Sequence, residues 1–327
     1  MLKDWLACID EVAGAELSPA TGDASFRRYF RLHLGPKSFI AMDAPPPQEN
    51  CLSFMRIAGH LEAMQLNAPR IIKASPEDGF LLLTDLGTTQ YLQQLNRAPA
   101  TVTKLYADAL QALFLIQERG SAFQSALPSY DSQLLRFELS LFRDWLCEKY
   151  LGIEFSEADE TAWQAVCGLL VKNALDQPQV FVHRDYHSRN LMVTDDANPG
   201  ILDFQDAVEG PFTYDLVSLL KDCYVRWSAA QVRDWASAFY AKLDAPTRAQ
   251  TSSEQFMRYF DLMGVQRHLK AAGIFARLSH RDGKPGFMAD VPRTLQYIAE
   301  LWPQYSELDF LAPLIGERCL PALQGAT

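Results

Sequence analysis

Five side chains between residues 183 and 203 form a set suited to phosphoryl transfer: His183, Asp185, His187, Asn190 and Asp203. The chain reads VHRDYHSRNLM over 182–192 and ILDFQD over 201–206. Asp185 follows His183 by two residues, Asn190 follows Asp185 by five, and Asp203 follows Asn190 by thirteen. A carboxylate such as Asp185 orients an attacking hydroxyl and takes its proton. An amide and a second carboxylate, Asn190 and Asp203, hold a metal ion on nucleotide phosphates. His187 contacts the transferring group or the substrate, or else is a structural histidine bonded to the loop. Asp206 adds a nearby carboxylate that also suits a turn. Any one of these residues alone would read as an ordinary turn or cap residue. The ordered set is what points to chemistry.

The sequence holds its own control. His280-Arg281-Asp282 repeats the H-R-D triplet, but Phe287 stands five residues on and no D-F follows. Gly283, Pro285 and Gly286 mark that copy as a loop.

The elements around the first copy fit its task. Val180–Val182 are strand-prone and lead into the polar loop 184–189. Leu191–Val193 read as a short strand, Asp195, Asp196, Asn198, Pro199 and Gly200 as a turn, and Ile201–Phe204 as the return. Such a pair supports the base and both metal ligands.

Upstream, Leu2, Trp5, Leu6, Ile9 and Val12 recur at helical spacing. Strands are expected at 26–34 and 38–42 around Gly35-Pro36, then at 71–74 and 80–84. A helix over 49–65 carries Phe54, Ile57, Ala58, Leu61 and Met64 on one face. Beyond Gln90, helical patterning covers 100–118, 131–150, 156–175, 213–227, 229–243, 252–275 and 291–306. Ser156 and Asp159 resemble a capping box. The expected fold is α+β, with a small sheet-rich N-lobe (1–86), a larger helical C-lobe (87–327) and a nucleotide cleft between them. At the hinge, the backbone of Thr84, Asp85 and Leu86 would read an adenine edge, or simply connect strand to helix.

The chain is long enough, at 327 residues, to bury a large core. Its formal net charge of −10 disfavours a nucleic-acid role, which normally shows a basic face. The six cysteines have scattered spacings without C-x-x-C, so free cytosolic thiols are expected. Charges near the N-terminus argue against a signal peptide, and no apolar run reaches spanning length.

The loop H-x-D-x-H-x-x-N (His183, Asp185, His187, Asn190), the D-F at Asp203, and Gly210-Pro211 followed by Tyr214-Asp215-Leu216 resemble the aminoglycoside phosphotransferase and choline kinase group. That resemblance implies a protein-kinase-like two-lobed fold, ATP and Mg2+ as cofactors, and Asp215 bracing the catalytic loop. GDASFRRYFR at 22–31, MDAPP at 42–46, FLLLTDLG at 80–87, ILDFQDA at 201–207 and GIFARL at 273–278 are similar to the bacterial amino-sugar kinases of cell-wall recycling. This narrower likeness implies an amino-sugar substrate phosphorylated at its anomeric hydroxyl for peptidoglycan recycling. A cytoplasmic location, no nucleic-acid or membrane partner, and a monomer are expected.

Two departures from the protein-kinase pattern matter. The G-x-G-x-x-G loop is absent, and Thr21–Ser25 stands in its place with one glycine; its amides and the Ser25 hydroxyl can cap a phosphate. The strand lysine is also missing. Arg28, Arg31 and Lys37 are nearby, and Arg28 is the expected replacement unless it is a solvated strand-face charge. For the sugar, Glu138 and Trp145 share a helix face seven residues apart, or serve an ion pair and the core. Arg281 is the candidate for a lactyl carboxylate, and Gln266, Arg267 and His268 lie on a late helix. Competing readings are a kinase for aminoglycosides, choline or another small alcohol, and a non-catalytic nucleotide-binding protein of the same shape.

Overall fold

The computed structural model describes residues 1–20, 27–46 and 49–325. They form two compact units: Met1–Gly120 with Arg189–Ala207, and Ser121–Ser188 with Val208–Thr327. The first unit therefore holds 87–120 and 189–207 in addition to the N-terminal sheet.

That sheet is antiparallel, in the order β1-β2-β3-β5-β4, from β1 (Glu16–Pro19), β2 (Arg28–Leu34), β3 (Lys37–Asp43), β4 (Ile71–Ser75) and β5 (Phe80–Thr84). The expected Gly35-Pro36 turn joins β2 to β3, with Leu34 opposite Lys37 and Gly35 at a φ of 58°. Leu32, Ala41 and Leu82 pack with Leu6, Ile9 and Val12 in one core. The helical spacing of those N-terminal residues is thus realised, although α1 (Leu2–Ala7) stops early and a 3-10 turn over Asp10–Val12 completes it. Strand β1 had no signal in the sequence; it is short and ends in proline. On α2 (Cys51–Ala63), Phe54, Ile57, Ala58 and Leu61 are buried, and Met64 beyond it is too, as the periodicity requires.

Helices α3 (Tyr91–Arg97) and α4 (Val102–Gly120) complete this unit, together with the hairpin of β7 (Leu191–Met192) and β8 (Gly200–Ile201). The hairpin is tied down at its turn, where Asn198 Nδ2 donates to the Tyr91 hydroxyl at 2.7 Å and to Asp108 at 2.8 Å.

The second unit is helical apart from β6 (Gln179–Val182) paired with β9 (Val208–Pro211). Helix α5 (Ser132–Leu141) runs into wide π turns over Phe142–Tyr150, and α6 (Glu157–Leu175) opens with the expected Ser156–Asp159 capping box. Then come α7 (Tyr214–Leu220), α8 (Ala229–Lys242), α9 (Ala245–Gln250), α10 (Ser253–Asp282) and α11 (Val291–Leu301). Short turns lead to α12 (Leu311–Pro313) and α13 (Leu320–Gly325).

Three expected boundaries are corrected. A helix over 213–227 is replaced by α7, because Asp222 bonds nearby backbone amides and competes with helix continuation. The loop expected at 280–282 is instead the last turn of α10, which ends at Gly283 with a φ of 64°, a conformation suited to glycine. The α-helix expected to reach 306 stops at Leu301 and tightens into a 3-10 turn over Trp302–Gln304, where Pro303 has no amide to continue the α-helical ladder.

Among the described residues no helix is long and apolar enough to cross a membrane. All six cysteines are free thiols.

Candidate active site

The loop over 183–188 is fixed from both ends by buried aspartates of the second unit. At the head of α7, Asp215 Oδ2 accepts from the His183 amide at 2.6 Å and Oδ1 from the Arg184 amide at 2.9 Å. The bracing role expected of Asp215 is therefore present. Burial pushes its carboxyl up to about 7; the Asp185 charge adds to that rise, and the two amides and Arg267 oppose it. At the other end, Asp222 Oδ2 accepts from the Ser188 amide at 2.9 Å and Oδ1 from the Tyr224 amide at 2.8 Å. Between them, His183 Nδ1 accepts from the Asp185 amide at 3.2 Å. Arg184 sits at a φ of 77°, a left-handed conformation uncommon outside glycine and held only where the surroundings dictate it.

Beneath this loop lies a buried ionic network in which Glu138 takes the ion-pair role that stood as the alternative to a sugar contact. Glu138 of α5 accepts from the Tyr130 hydroxyl and the Arg184 guanidinium. Lys270 of α10 reaches Glu138 Oε1 at 3.0 Å and the Tyr214 hydroxyl at 2.9 Å. Burial works to raise the Glu138 pKa, but the Lys270 and Arg184 charges more than offset it and keep the carboxyl below its ordinary range. Burial pushes the Tyr130 phenol well up, so it stays a neutral donor.

Asp185 experiences the same field. Burial alone would raise its pKa, yet the charges of Lys270, His187, Arg184 and Arg267 hold it below the usual carboxylate range. The side chain is ionised at neutral pH and able to orient a hydroxyl and receive its proton. The neighbouring His187 ring meets Tyr224 edge-on, with centroids 5.3 Å apart.

Asn190 and Asp203 belong to the first unit, on either side of the β7–β8 hairpin. The Leu202 amide donates to the Asn190 carbonyl at 2.9 Å, and Asn190 Nδ2 donates to Asp203 Oδ2 at 3.2 Å. Gln205 Nε2 donates to Asp203 Oδ1 at 2.8 Å. Asp203 has a φ of 61°, and the next residue, Phe204, is fully buried against Phe54. The buried ring anchors the backbone that presents the carboxylate. An amide oxygen and a carboxylate form a hard-oxygen donor pair, which fits magnesium held partly by protein and partly by substrate phosphate and water.

The remaining expected positions are more scattered. Ser25 lies outside the described residues. Arg28 pairs with buried Asp43 at 2.5 Å, and its side chain is 65% exposed. Asp85 is clamped by Arg31, with Nε to Oδ2 at 2.6 Å and Nη2 to Oδ1 at 3.1 Å; Arg31 also donates to the Gly87 carbonyl at 2.8 Å. Its carboxyl is therefore engaged in holding the turn. Thr84 still belongs to the sheet, its amide donating to the Arg70 carbonyl at 2.9 Å. Leu86 packs against Gly200 so closely that a Cβ there would lie 2.9 Å from Leu86 Cδ1.

Glu138 and Trp145, expected to share a sugar-binding face, have no partner in common. Trp145 lies under Lys149, 3.6 Å from its ring centroid, and against His280. The α-helical i, i+7 rule does not carry across the π turns that begin at Phe142. Glu138 is buried in the network beneath the catalytic loop. Arg281, expected in a loop, lies on the last turn of α10, exposed and paired with Asp282 at 2.6 Å.

The family model described as "Phosphotransferase enzyme family" matches residues 16–286. An N-acetylmuramate/N-acetylglucosamine kinase of Pseudomonas aeruginosa is 48% identical over 310 residues, covering 93% of this chain and 89% of that protein. A Neisseria meningitidis protein of the same name is 38% identical, covering 97% and 94%. Among solved structures, an ethanolamine kinase of Plasmodium vivax aligns with a TM-score of 0.63 at 14% identity, covering 91% of this chain and 85% of that one. A choline kinase of Streptococcus pneumoniae aligns with a TM-score of 0.62 at 13% identity, covering 91% and 97%. The fold is kinase-like, and the chain belongs to the phosphotransferase enzyme family.

Proposed function

We propose that this chain is an ATP-dependent sugar kinase that phosphorylates the anomeric hydroxyl of N-acetylmuramate and N-acetylglucosamine. The observation that carries this reading is the 48% identity, across 93% of the chain, with a Pseudomonas aeruginosa enzyme named for both sugars. A choline or aminoglycoside acceptor has only fold likeness behind it, at 13% and 14% identity.

In this reading Asp185 orients the sugar hydroxyl and accepts its proton. The hydroxyl oxygen bonds to the γ-phosphorus as the bond to the β-phosphate oxygen breaks, and ADP leaves. Asp215 and Asp222 hold the loop backbone so that the carboxylate stays aimed. The Glu138–Arg184–Lys270 network supplies the positive field that keeps Asp185 ionised. Asn190 and Asp203 would hold magnesium, which neutralises phosphate charge when bound. Ser25 and Arg28 are proposed for the phosphates, and the backbone of Thr84, Asp85 and Leu86 for the adenine edge. His187 is proposed to contact the transferring group or the acceptor. Positioning and charge neutralisation account for most of such catalysis.

The test is ADP release with Mg-ATP and, separately, N-acetylmuramate, N-acetylglucosamine, choline and kanamycin. Turnover with the two sugars is expected. Turnover with choline or kanamycin alone would overturn the acceptor assignment.

A further inference from the structure

Arg267 carries a guanidinium that makes no direct ion pair among the described residues. It is only 6% exposed, at the centre of α10 in the second unit. Among the described residues its one hydrogen bond runs from Nη1 to Cys223 Sγ at 3.6 Å, and no carboxylate lies within ion-pair distance. Sulfur is a weak acceptor, and a guanidinium carries five donors in a rigid fork. Buried charges are ordinarily paired, because leaving one unpaired is costly. The nearby carboxylate of Asp222 is already committed to the amides of Ser188 and Tyr224. The charges of Asp185 and Asp215 also act on Arg267. The cation thus lies in the field of Asp185 with a single hydrogen bond among the described residues, to sulfur.

Its surroundings suit a sugar. An aromatic row leads away from the catalytic loop: His187 to Tyr224 with centroids 5.3 Å apart, Tyr224 to Phe275 at 6.2 Å, and Phe275 to Phe287 stacked at 5.7 Å. Tyr224 and Phe287 are half-buried. Phe275 lies on α10 eight residues after Arg267, about 12 Å along the helix axis. A ring wall and one forked cation whose charge is felt at Asp185 match a pyranose that carries an acidic substituent.

We propose that Arg267 binds the carboxylate of the acceptor, the lactyl group of N-acetylmuramate, while Tyr224 and Phe287 line the sugar ring. The inference rests on the proposed sugar-kinase function and adds the residue that recognises the acidic acceptor. It assigns to Arg267 the role expected of Arg281, which is exposed and already paired with Asp282.

The test compares three acceptors: N-acetylmuramate, its uncharged lactyl amide, and N-acetylglucosamine. Arg267→Gln and Arg267→Lys are assayed beside the wild type, with thermal melting as the folding control. In the wild type the carboxylate acceptor should exceed its amide in kcat/KM by about tenfold or more, the worth of a forked charge-assisted contact. In R267Q that preference should vanish, and in R267K it should shrink, since an ammonium keeps the charge and loses the fork. A preference for the carboxylate that survives in R267Q would overturn the assignment. So would equal losses on all three acceptors, which would place Arg267 on the transferring phosphoryl group or in packing. If R267Q does not fold, R267K decides by the same ratio. A wild type that phosphorylates neither sugar defeats the proposed function itself, an outcome distinct from a lost preference.

Discussion

Asn190 Nδ2 donates to Asp203 Oδ2 across 3.2 Å, so the two proposed magnesium ligands orient each other before any ion arrives. Removing one should cost metal affinity as well as rate. Asn190→Ala is expected to raise the magnesium concentration needed for half-maximal turnover and to lower kcat by about 10²-fold. Titration of activity against magnesium checks this. An unchanged half-saturation point would remove Asn190 from the metal site.

Glu138 is expected to act on stability and on catalytic rate, and not on sugar affinity. Its carboxylate is shared by Tyr130, Arg184 and Lys270 in a buried network. Glu138→Gln leaves two cations uncompensated and should destabilise the fold by about 3–5 kcal/mol. The Lys270→Met change should cost a similar amount, and the pair should fall short of the sum because one network is lost twice. Denaturant unfolding of the three variants measures this. A selective rise in sugar KM at wild-type stability would restore Glu138 to the sugar site.

Much of this was legible in the sequence because it depends on local spacing. The Gly35-Pro36 hairpin, the apolar face of α2 and the capping box at Ser156 are each set by residues close in the chain. Asp215 was legible through the resemblance, and its two amide bonds give that reading a physical cause. What was not legible depends on distant partners. Glu138 was legible as a sugar contact or an ion-pair member, but its partners Arg184 and Lys270 lie 46 and 132 positions later. Arg267 lay among residues singled out on a late helix, but the sequence could not show that its guanidinium is buried without a carboxylate. The face shared by Glu138 and Trp145 failed because the π turns shift the phase between them.

Gly273 marks a close approach that the sequence could not rank. A Cβ at this position would lie 2.3 Å from the Leu141 carbonyl carbon and 2.4 Å from the Phe142 nitrogen. These are backbone atoms, at the point where α5 passes into π turns. Gly273→Ala should therefore destabilise by about 3 kcal/mol or more, although alanine is the better helix former. Thermal or urea unfolding checks it, and a neutral or stabilising change would refute the contact.

His268 gives the protein a defined acid sensitivity. Its ring stacks on Tyr297 with centroids 4.6 Å apart, and Nε2 lies 2.8 Å from the Lys221 carbonyl oxygen. Burial lowers its pKa to about 3; the Arg267 and Lys221 charges add to the fall, and the Lys221 carbonyl opposes it. The folded state thus excludes a proton that the unfolded chain binds. This contribution is fully present above the ordinary histidine value and is lost as pH falls from about 6.5 toward about 3. Against His268→Asn, the wild-type advantage should shrink on acidification by up to about 1.4 kcal/mol per pH unit. Urea unfolding of both proteins between about pH 7 and 5 measures it. A difference that does not vary with pH would contradict the assignment.

The central claim is that Asp185 serves as the base for phosphoryl transfer to an amino-sugar hydroxyl. It is tested most directly by phosphorus NMR of the products formed from Mg-ATP with N-acetylmuramate or N-acetylglucosamine, using wild type and Asp185→Asn. A sugar 1-phosphate signal is expected for the wild type, and its loss, by about 10²-fold or more in rate, in the folded variant. A variant that makes sugar phosphate at the wild-type rate would contradict the role of Asp185, and phosphate on another hydroxyl would contradict the anomeric assignment.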